Sequence, residues 1–134
     1  MDEVIRITKD IKQGNIKPIY FFMGDEPYYI DKLTEFIEDN ILSVINQDYP
    51  NVEHIVIDAG STDGTLEILN KYDSHINWIS EPDKGQSDGL NKGFKKSTGD
   101  IIGWINSDDR LAPGALNKVV EFFHSNPEEI AVVG

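Results

Sequence analysis

Short apolar runs alternate with amphipathic stripes along this chain of 134 residues, and that alternation is the feature that most limits its fold. The runs predict buried strands, because they are too short for helices and are bounded by proline, glycine or polar turn residues. Apolar residues at spacings of three and four predict amphipathic helices between them. Buried strands that alternate with helices are typical of βαβ units, so the pattern predicts an α/β fold with a mostly parallel sheet and helices on both faces.

The predicted elements follow one another without a long unstructured gap. The predicted strands cover residues 17–24, 54–58, 76–79, 100–105 and 130–133. The predicted helices cover residues 4–11, 29–47, 65–72, 86–97 and 113–124. Trp78 and Trp104 lie in predicted strands, and we expect both in the core rather than in a stacking site. A chain of this length usually forms one domain, so we expect a single α/β domain over residues 1–134.

Composition excludes several classes of protein. The chain has 12 Lys and Arg against 24 Asp and Glu, and a net charge of −12 argues against a nucleic-acid binder that neutralises phosphates. It has no cysteine, which excludes a disulfide framework and fits a reducing compartment. The longest apolar run, 19–23, is far shorter than the roughly 20 residues that span a bilayer. We therefore expect a cytoplasmic protein without a membrane span.

Polar and acidic segments follow three of the predicted strands. In open parallel sheets, ligands bind beyond the carboxyl ends of the strands. Asp58 ends the second strand, an acid-rich segment over 83–88 follows the third, and Asp108 and Asp109 follow the fourth. The topology therefore predicts one site formed by these three segments.

Each segment has a chemical interpretation and a structural alternative. Asp108 and Asp109 are adjacent carboxylates, and such a pair suits Mg²⁺ or Mn²⁺ bridged to a diphosphate; a solvated turn or a helix cap is the alternative. Lys84 precedes a predicted helix and suits a diphosphate, but a weak surface ion pair would also explain it. Asp58 can accept hydrogen bonds from a base or a ribose, whereas residues 61–63 can cap the next helix.

Several motifs occur in a fixed order over the last two thirds of the chain. They are Ser-Val-Ile-Asn-Gln-Asp-Tyr-Pro at 43–50, Asp-Ala-Gly-Ser-Thr-Asp-Gly-Thr at 58–65, Glu-Pro-Asp-Lys-Gly-Gln at 81–86, Asn-Lys-Gly at 91–93 and the stretch 99–116 with Asn-Ser-Asp-Asp at 106–109. With them, residues 43–134 resemble the family 2 glycosyltransferases of the GT-A fold. The resemblance implies a Rossmann-like nucleotide-binding half, a nucleotide-diphosphate sugar as donor, and Mg²⁺ or Mn²⁺ as cofactor.

The resemblance also implies roles for individual residues. Asp58 would contact the base, and Lys84 and Asp88 would lie near the nucleotide. Asp108 would meet the ribose or the metal, and Asp109 the metal. The family often has Asp where this chain has Asn106. Family members supply their catalytic base from a later part of the domain, so no catalytic residue is assigned and we expect weak or absent transfer activity.

The beginning of the chain carries a second resemblance. Residues 11–30 resemble the N-terminus of the bacterial DNA polymerase III delta subunit, a clamp-loader component. We therefore expect a chimera in which a delta-like helix-strand-helix start over 1–42 joins the glycosyltransferase-like part over 43–134. A non-enzymatic α/β scaffold and a clamp-loader interaction fragment remain alternatives. The predicted strand at 130–133 would leave an uncovered sheet edge, which predicts self-association.

Overall fold

The computed structural model describes residues 18–24 and 30–132, in which strands and helices alternate. The strands are β1 (Pro18–Gly24), β2 (Glu53–Asp58), β3 (Asn77–Ser80) and β4 (Ile101–Trp104). The helices are α1 (Ile30–Ile45), α2 (Thr65–Lys71), α3 (Gln86–Lys96) and α4 (Ala115–Ser125). None of these helices is long and apolar enough to cross a membrane. The helix predicted over 4–11 and the loop at 25–29 lie outside the described residues.

The strands form one parallel sheet in the order β3-β2-β1-β4. Gly24, Asp58 and Ser80 are partners across β1, β2 and β3, so these strands end at the same level. β4 ends three residues before that level, because its last residue, Trp104, pairs with Phe21 rather than with Gly24. The parallel α/β fold is thereby confirmed, and the carboxyl ends of all four strands lie at one edge of the sheet.

Helices cover both faces of the sheet, as the alternation predicts. On one face, Val56 of β2 packs with buried apolar residues of α1 and α2. The strand register places Ile101 of β4, which packs against α4, on the same face. On the other face, Ile55 and Ile57 pack against Leu90 of α3. Both faces of β2 are therefore buried, which explains its nearly continuous apolar run.

Two expectations from the sequence are wrong. The described residues 130–132 of the predicted fifth strand are not in a strand, and Ile130 is 79% exposed, because no neighbouring strand pairs with them there. Val133 lies outside the described residues. Trp104 is 56% exposed rather than buried, since α3 covers the β2 part of this face and leaves β4 open. Trp78 packs against the core, as expected.

Candidate functional site

Three loops meet at the carboxyl edge of the sheet. They are residues 59–64 after β2, residues 81–85 after β3 and residues 105–114 after β4. The backbone N–H of Glu81 donates to the Asp58 carbonyl (3.0 Å), which holds the second loop beside the first. Gly60 has a φ of +84°, and a Cβ there would lie 3.5 Å from the Pro82 nitrogen. The distance is an ordinary contact, so it is the positive φ that favours glycine at this position.

Asp58 organises the loop that follows it. Its side chain is 1% exposed. One carboxylate oxygen accepts hydrogen bonds from the backbone N–H groups of Gly60 (3.0 Å) and Ser61 (2.8 Å) and from the Ser80 hydroxyl (2.6 Å). The other oxygen accepts from the Ser61 hydroxyl. Protein donors therefore occupy both oxygens of Asp58, and contact with a base stays a prediction for this residue.

Asp63 has the structural role that the sequence favours for it. Its carboxylate accepts a hydrogen bond from the backbone N–H of Thr65 (2.9 Å), the first residue of α2. Backbone N–H groups in the first turn of a helix have no partner within the helix, so this contact satisfies one of them. Asp63 therefore belongs to the start of α2.

Charged side chains of α3 hold the second loop closed. The Asp88 carboxylate accepts a hydrogen bond from the Lys84 backbone N–H (3.0 Å), and this bond holds the pKa of Asp88 below its ordinary value. Lys92 Nζ lies 3.5 Å from Asp88 Oδ2 and 3.1 Å from Glu81 Oε1, and it donates to the Pro82 carbonyl (3.2 Å). Asp88 thus shapes the loop.

Lys84 and Lys92 differ in what their side chains do. The Lys84 side chain is exposed and takes part in no ion pair with a described residue. It is therefore available to an anion at this edge. Sequence reasoning missed Lys92, although its spacing of four from Asp88 on a helix is the signal that could have found it.

The third loop contains the acidic turn, residues 106–109. The backbone N–H of Asp109 donates to the Asn106 carbonyl (3.0 Å), which closes the turn. Asp108 and Asp109 are exposed, and neither carboxylate forms an ion pair within the described ranges. The Gln86 side-chain amide donates to Asn106 Oδ1 (3.4 Å), so the acidic turn lies beside the first residue of α3.

Three polar side chains on α1 and just beyond its end, which the sequence analysis missed, hold the third loop in place. Both amide hydrogens of Asn40 are donated, to the carbonyls of Asn106 (2.9 Å) and Asp109 (2.8 Å). The Ser43 hydroxyl accepts from the Leu111 backbone N–H (3.0 Å), and the Gln47 side-chain amide donates to the Ala112 carbonyl (2.9 Å). The spacing of three and four between positions 40, 43 and 47, with Gln47 two residues beyond the end of α1, is the only local signal of this role.

The acidic turn offers few but suitable ligands for a divalent cation. Among the described residues, no group of three or more His, Cys, Asp or Glu side chains could hold a metal ion. Two neighbouring carboxylates without ion-pair partners nevertheless fit Mg²⁺ or Mn²⁺, because these ions often take one or two protein carboxylates and complete their shell with substrate phosphates and water. The donor set therefore fits a cation that is shared with a bound diphosphate.

An open cleft of about 610 Å³ lies elsewhere, beside β3. Glu53, Asp73, Trp78 and Lys96 are among the residues that line it, and none of the predicted site residues is. The cleft is therefore separate from the candidate site at the strand ends.

Comparison with known proteins supplies the family. The model of glycosyl transferase family 2 matches residues 27–134. An uncharacterized glycosyltransferase of Haemophilus influenzae is 37% identical over 95 residues, which are 68% of this chain and 38% of that protein. The putative teichuronic acid biosynthesis glycosyltransferase TuaG of Bacillus subtilis is 33% identical over 93 residues, 66% of this chain and 36% of that protein. The chain thus spans little more than a third of the length of these relatives.

Solved structures show the same fold. Staphylococcus aureus TarS 1–349, crystallised in complex with UDP-GlcNAc, superposes with a TM-score of 0.69 at 23% identity over 82% of this chain and 32% of its own. The mannosyltransferase PcManGT from Pyrobaculum calidifontis, in complex with GDP-Man and Mn²⁺, has a TM-score of 0.67 at 17% identity over 92% of this chain and 39% of its own. The parallel sheet, the acidic turn at its carboxyl edge and the family match agree: this chain belongs to glycosyl transferase family 2.

Proposed function

We propose that this chain is the donor-binding part of a glycosyltransferase and binds a nucleotide-diphosphate sugar together with Mg²⁺ or Mn²⁺. The observation that carries the proposal is the acidic turn, residues 106–109, whose two exposed carboxylates have no ion-pair partner among the described residues and lie where parallel sheets bind ligands. Structural neighbours in complex with UDP-GlcNAc and with GDP-Man and Mn²⁺ support the class of ligand.

Each loop at the carboxyl edge of the sheet has its own role in binding. Asp108 and Asp109 hold the cation, and Asp108 also lies near the ribose. The cation supplies positive charge that offsets the diphosphate. Asp58 acts indirectly on the part of the site that binds the base, because its buried carboxylate holds the backbone of residues 59–61 in place. Lys84 contributes its free ammonium group near the nucleotide, and Asp88 fixes the loop that carries it.

A cation is needed for electrostatic reasons. The chain carries a net charge of −12, and a diphosphate adds further negative charge next to two carboxylates. Without a divalent ion these negatively charged groups repel one another. Binding of the diphosphate is therefore coupled to binding of the metal.

Calorimetry tests this proposal directly. UDP, GDP and their sugars are titrated into the chain with and without Mn²⁺, and we expect binding that depends on the ion. Changing an outer-shell partner of a metal ligand already costs roughly 10- to 100-fold in metal affinity, so Asp109→Ala and Asp108→Ala should each weaken nucleotide binding by at least about tenfold.

The matched control is Asp48→Ala, which removes an exposed carboxylate beyond the end of α1. It lowers the negative charge by the same amount but leaves the acidic turn intact, so binding should be retained. Absence of any binding by the unmodified chain at millimolar ligand would refute the proposed function and favour the non-enzymatic scaffold. Equal binding by Asp109→Ala and the control would refute the metal assignment.

We further propose that residues 1–134 form one domain whose start shares its origin with the DNA polymerase III delta subunit. The support is the sequence of residues 11–30 alone. The family match begins at residue 27, so residues 27–42 of the delta-like start also belong to the glycosyltransferase match. Sequencing the source genome across the codons for residues 1–60 tests the joint origin, and a single cooperative unfolding transition tests the single domain.

A further inference from the structure

We infer that Asn40 is a positioning residue for the cation and diphosphate, because it fixes the backbone of the acidic turn from below. This inference rests on the proposed function of the turn. Asn40 lies on α1, 66 positions before Asn106, and it touches neither carboxylate that would hold the cation. It acts on the site through the main chain.

Asn40 stands in an otherwise apolar row. Ile37, Ile41 and Val44 on the same side of α1 are buried, and Asn40 is 0% exposed between them. An apolar residue would be the expected occupant of such a position, since a buried amide costs free energy unless it is hydrogen-bonded. Its Nδ2 is fully used, while its Oδ1 accepts no hydrogen bond in the described part of the chain. The side chain therefore serves as a double donor.

The two acceptors are the first and last carbonyls of the acidic turn. Asn106 accepts at 2.9 Å and Asp109 at 2.8 Å, so one planar amide spans the four residues that contain both carboxylates. The loop over 105–114 has no regular secondary structure that could orient these peptide groups. Together with the bond from the Asp109 N–H to the Asn106 carbonyl, the Asn40 amide therefore fixes the peptide groups at both ends of the turn.

The neighbouring polar contacts act further along the same loop. Ser43 of α1 accepts from the Leu111 N–H. Gln47, two residues beyond the end of α1, donates to the Ala112 carbonyl and accepts from the Leu116 N–H (3.2 Å). These contacts fix the segment that leads into α4, whereas Asn40 alone of the three contacts the acidic turn. Gln47 is therefore a control with the same amide chemistry close by in the chain.

The amide is suited to this task by its charge as well as its shape. A carboxylate at position 40 would face two carbonyl oxygens and repel them. An apolar side chain would remove the Asn40 donor from the Asp109 carbonyl and leave the Asn106 carbonyl with the Asp109 N–H alone. Outer-shell groups that orient metal ligands typically change metal affinity by roughly 10- to 100-fold when they are removed. We expect a loss in that range when Asn40 loses its donors.

The experiment compares three variants with the unmodified chain. Asn40→Leu keeps the branched shape and the number of side-chain heavy atoms but removes both donors. Asn40→Thr keeps one hydroxyl donor and serves if Leu prevents folding. Gln47→Leu removes the matched amide. Mn²⁺ affinity is measured by electron paramagnetic resonance, UDP affinity by calorimetry with Mn²⁺, and exchange of the Asp109 amide hydrogen by NMR. All are recorded on samples shown to be folded by circular dichroism.

We expect Asn40→Leu to weaken Mn²⁺ and UDP binding by about tenfold or more. Asn40→Thr should lose less, and the Asp109 amide should exchange faster in both. Gln47→Leu should keep its Mn²⁺ affinity even where it lowers thermal stability.

Unchanged affinities in folded Asn40→Leu or Asn40→Thr would overturn this inference and leave the proposed function standing. Equal losses in the Asn40 and Gln47 variants would overturn it too, because they would reflect general destabilisation of the loop. No binding by the unmodified chain would overturn the proposed function and this inference together.

Discussion

At the scale of single residues, His54 shows what burial does to a titratable group. The imidazole lies on β2 and is 4% exposed. Loss of hydration disfavours its charged form and lowers the pKa of His54 from 6.5 to about 4. His54 is therefore neutral in the folded protein at neutral pH and acts as part of the core.

This burial predicts a pH dependence of stability. The unfolded chain binds a proton at His54 more tightly than the folded chain does, so the stabilisation is present above pH 6.5 and is lost as the pH falls towards 4. The difference between the two pKa values corresponds to roughly 3 kcal/mol. Urea denaturation between pH 7 and pH 4.5 should show a smaller loss of unfolding free energy in His54→Leu than in the unmodified chain.

His124→Gln is the control for this prediction, because the side chain of His124 is exposed at the end of α4. Its unfolding free energy should follow the unmodified chain across the same pH range. If the His54→Leu curve ran parallel to that of the unmodified chain, the buried imidazole would not be the source of the pH dependence.

At the scale of elements, α1 has two roles. Its buried apolar residues Ile37 and Ile41 pack in the core against Val56 and Leu69. Its polar residues Asn40 and Ser43, with Gln47 just beyond its end, hold the loop after β4. One helix therefore couples the packing of the sheet to the geometry of the acidic turn.

The contact of α1 with α2 has an exposed ionic rim. Glu38 Oε1 accepts from Lys71 Nζ (2.5 Å) and from the Tyr72 hydroxyl (2.6 Å). The bond from Lys71 and then that from Tyr72 hold the pKa of Glu38 below its ordinary value. Exposed ion pairs of this kind contribute little to the free energy of unfolding, so α1 is held on the domain mainly by packing of its apolar side.

Removal of one apolar side chain tests that conclusion. Ile41 is 0% exposed, and Ile41→Ala leaves a cavity among α1, α2 and the sheet, so we expect the unfolding free energy to fall by about 2–5 kcal/mol. Phe36→Ala is the control on the same helix, because Phe36 is 42% exposed and should cost about 1 kcal/mol or less. Chemical denaturation measures both, and similar losses in the two variants would contradict the assignment of the core face.

At the scale of the whole molecule, exposed apolar surface favours self-association and net charge opposes it. β4 is an edge strand of the described sheet, and Ile102 (38%) and Trp104 (56%) are exposed on it. Uncovered edges and apolar side chains favour pairing with another chain. A net charge of −12 on each copy opposes that pairing at low ionic strength.

We therefore expect weak self-association that increases with salt, because salt screens the repulsion between copies. Sedimentation velocity at about 20 mM and 500 mM NaCl should show a rise in the sedimentation coefficient with protein concentration only at the higher salt. Trp104→Lys should abolish the rise. Phe36→Lys adds the same charge at an exposed aromatic on α1 and should preserve it; monomers under every condition would contradict the prediction.

Much of the fold could be predicted because its signals are local. The apolar run of β2 and the spacing of Leu90 and Phe94 on α3 depend on consecutive residues, so their periodicity indicates strand and helix directly. The carboxyl ends of parallel strands share one edge of the sheet, which is why the sequence predicts Asp58, the segment at 83–88 and the acidic turn together. The family motifs added the class of ligand.

Local pattern could not show which residues that are far apart in the sequence contact each other in the fold. The strand order β3-β2-β1-β4, the exposure of Trp104 and the lack of a strand at 130–132 depend on which surfaces meet after folding. The bonds from Asn40 to Asn106 and Asp109 join residues 66 and 69 positions apart. A sequence determines the propensity of each segment, and only tertiary packing decides which distant backbone groups a buried amide will satisfy.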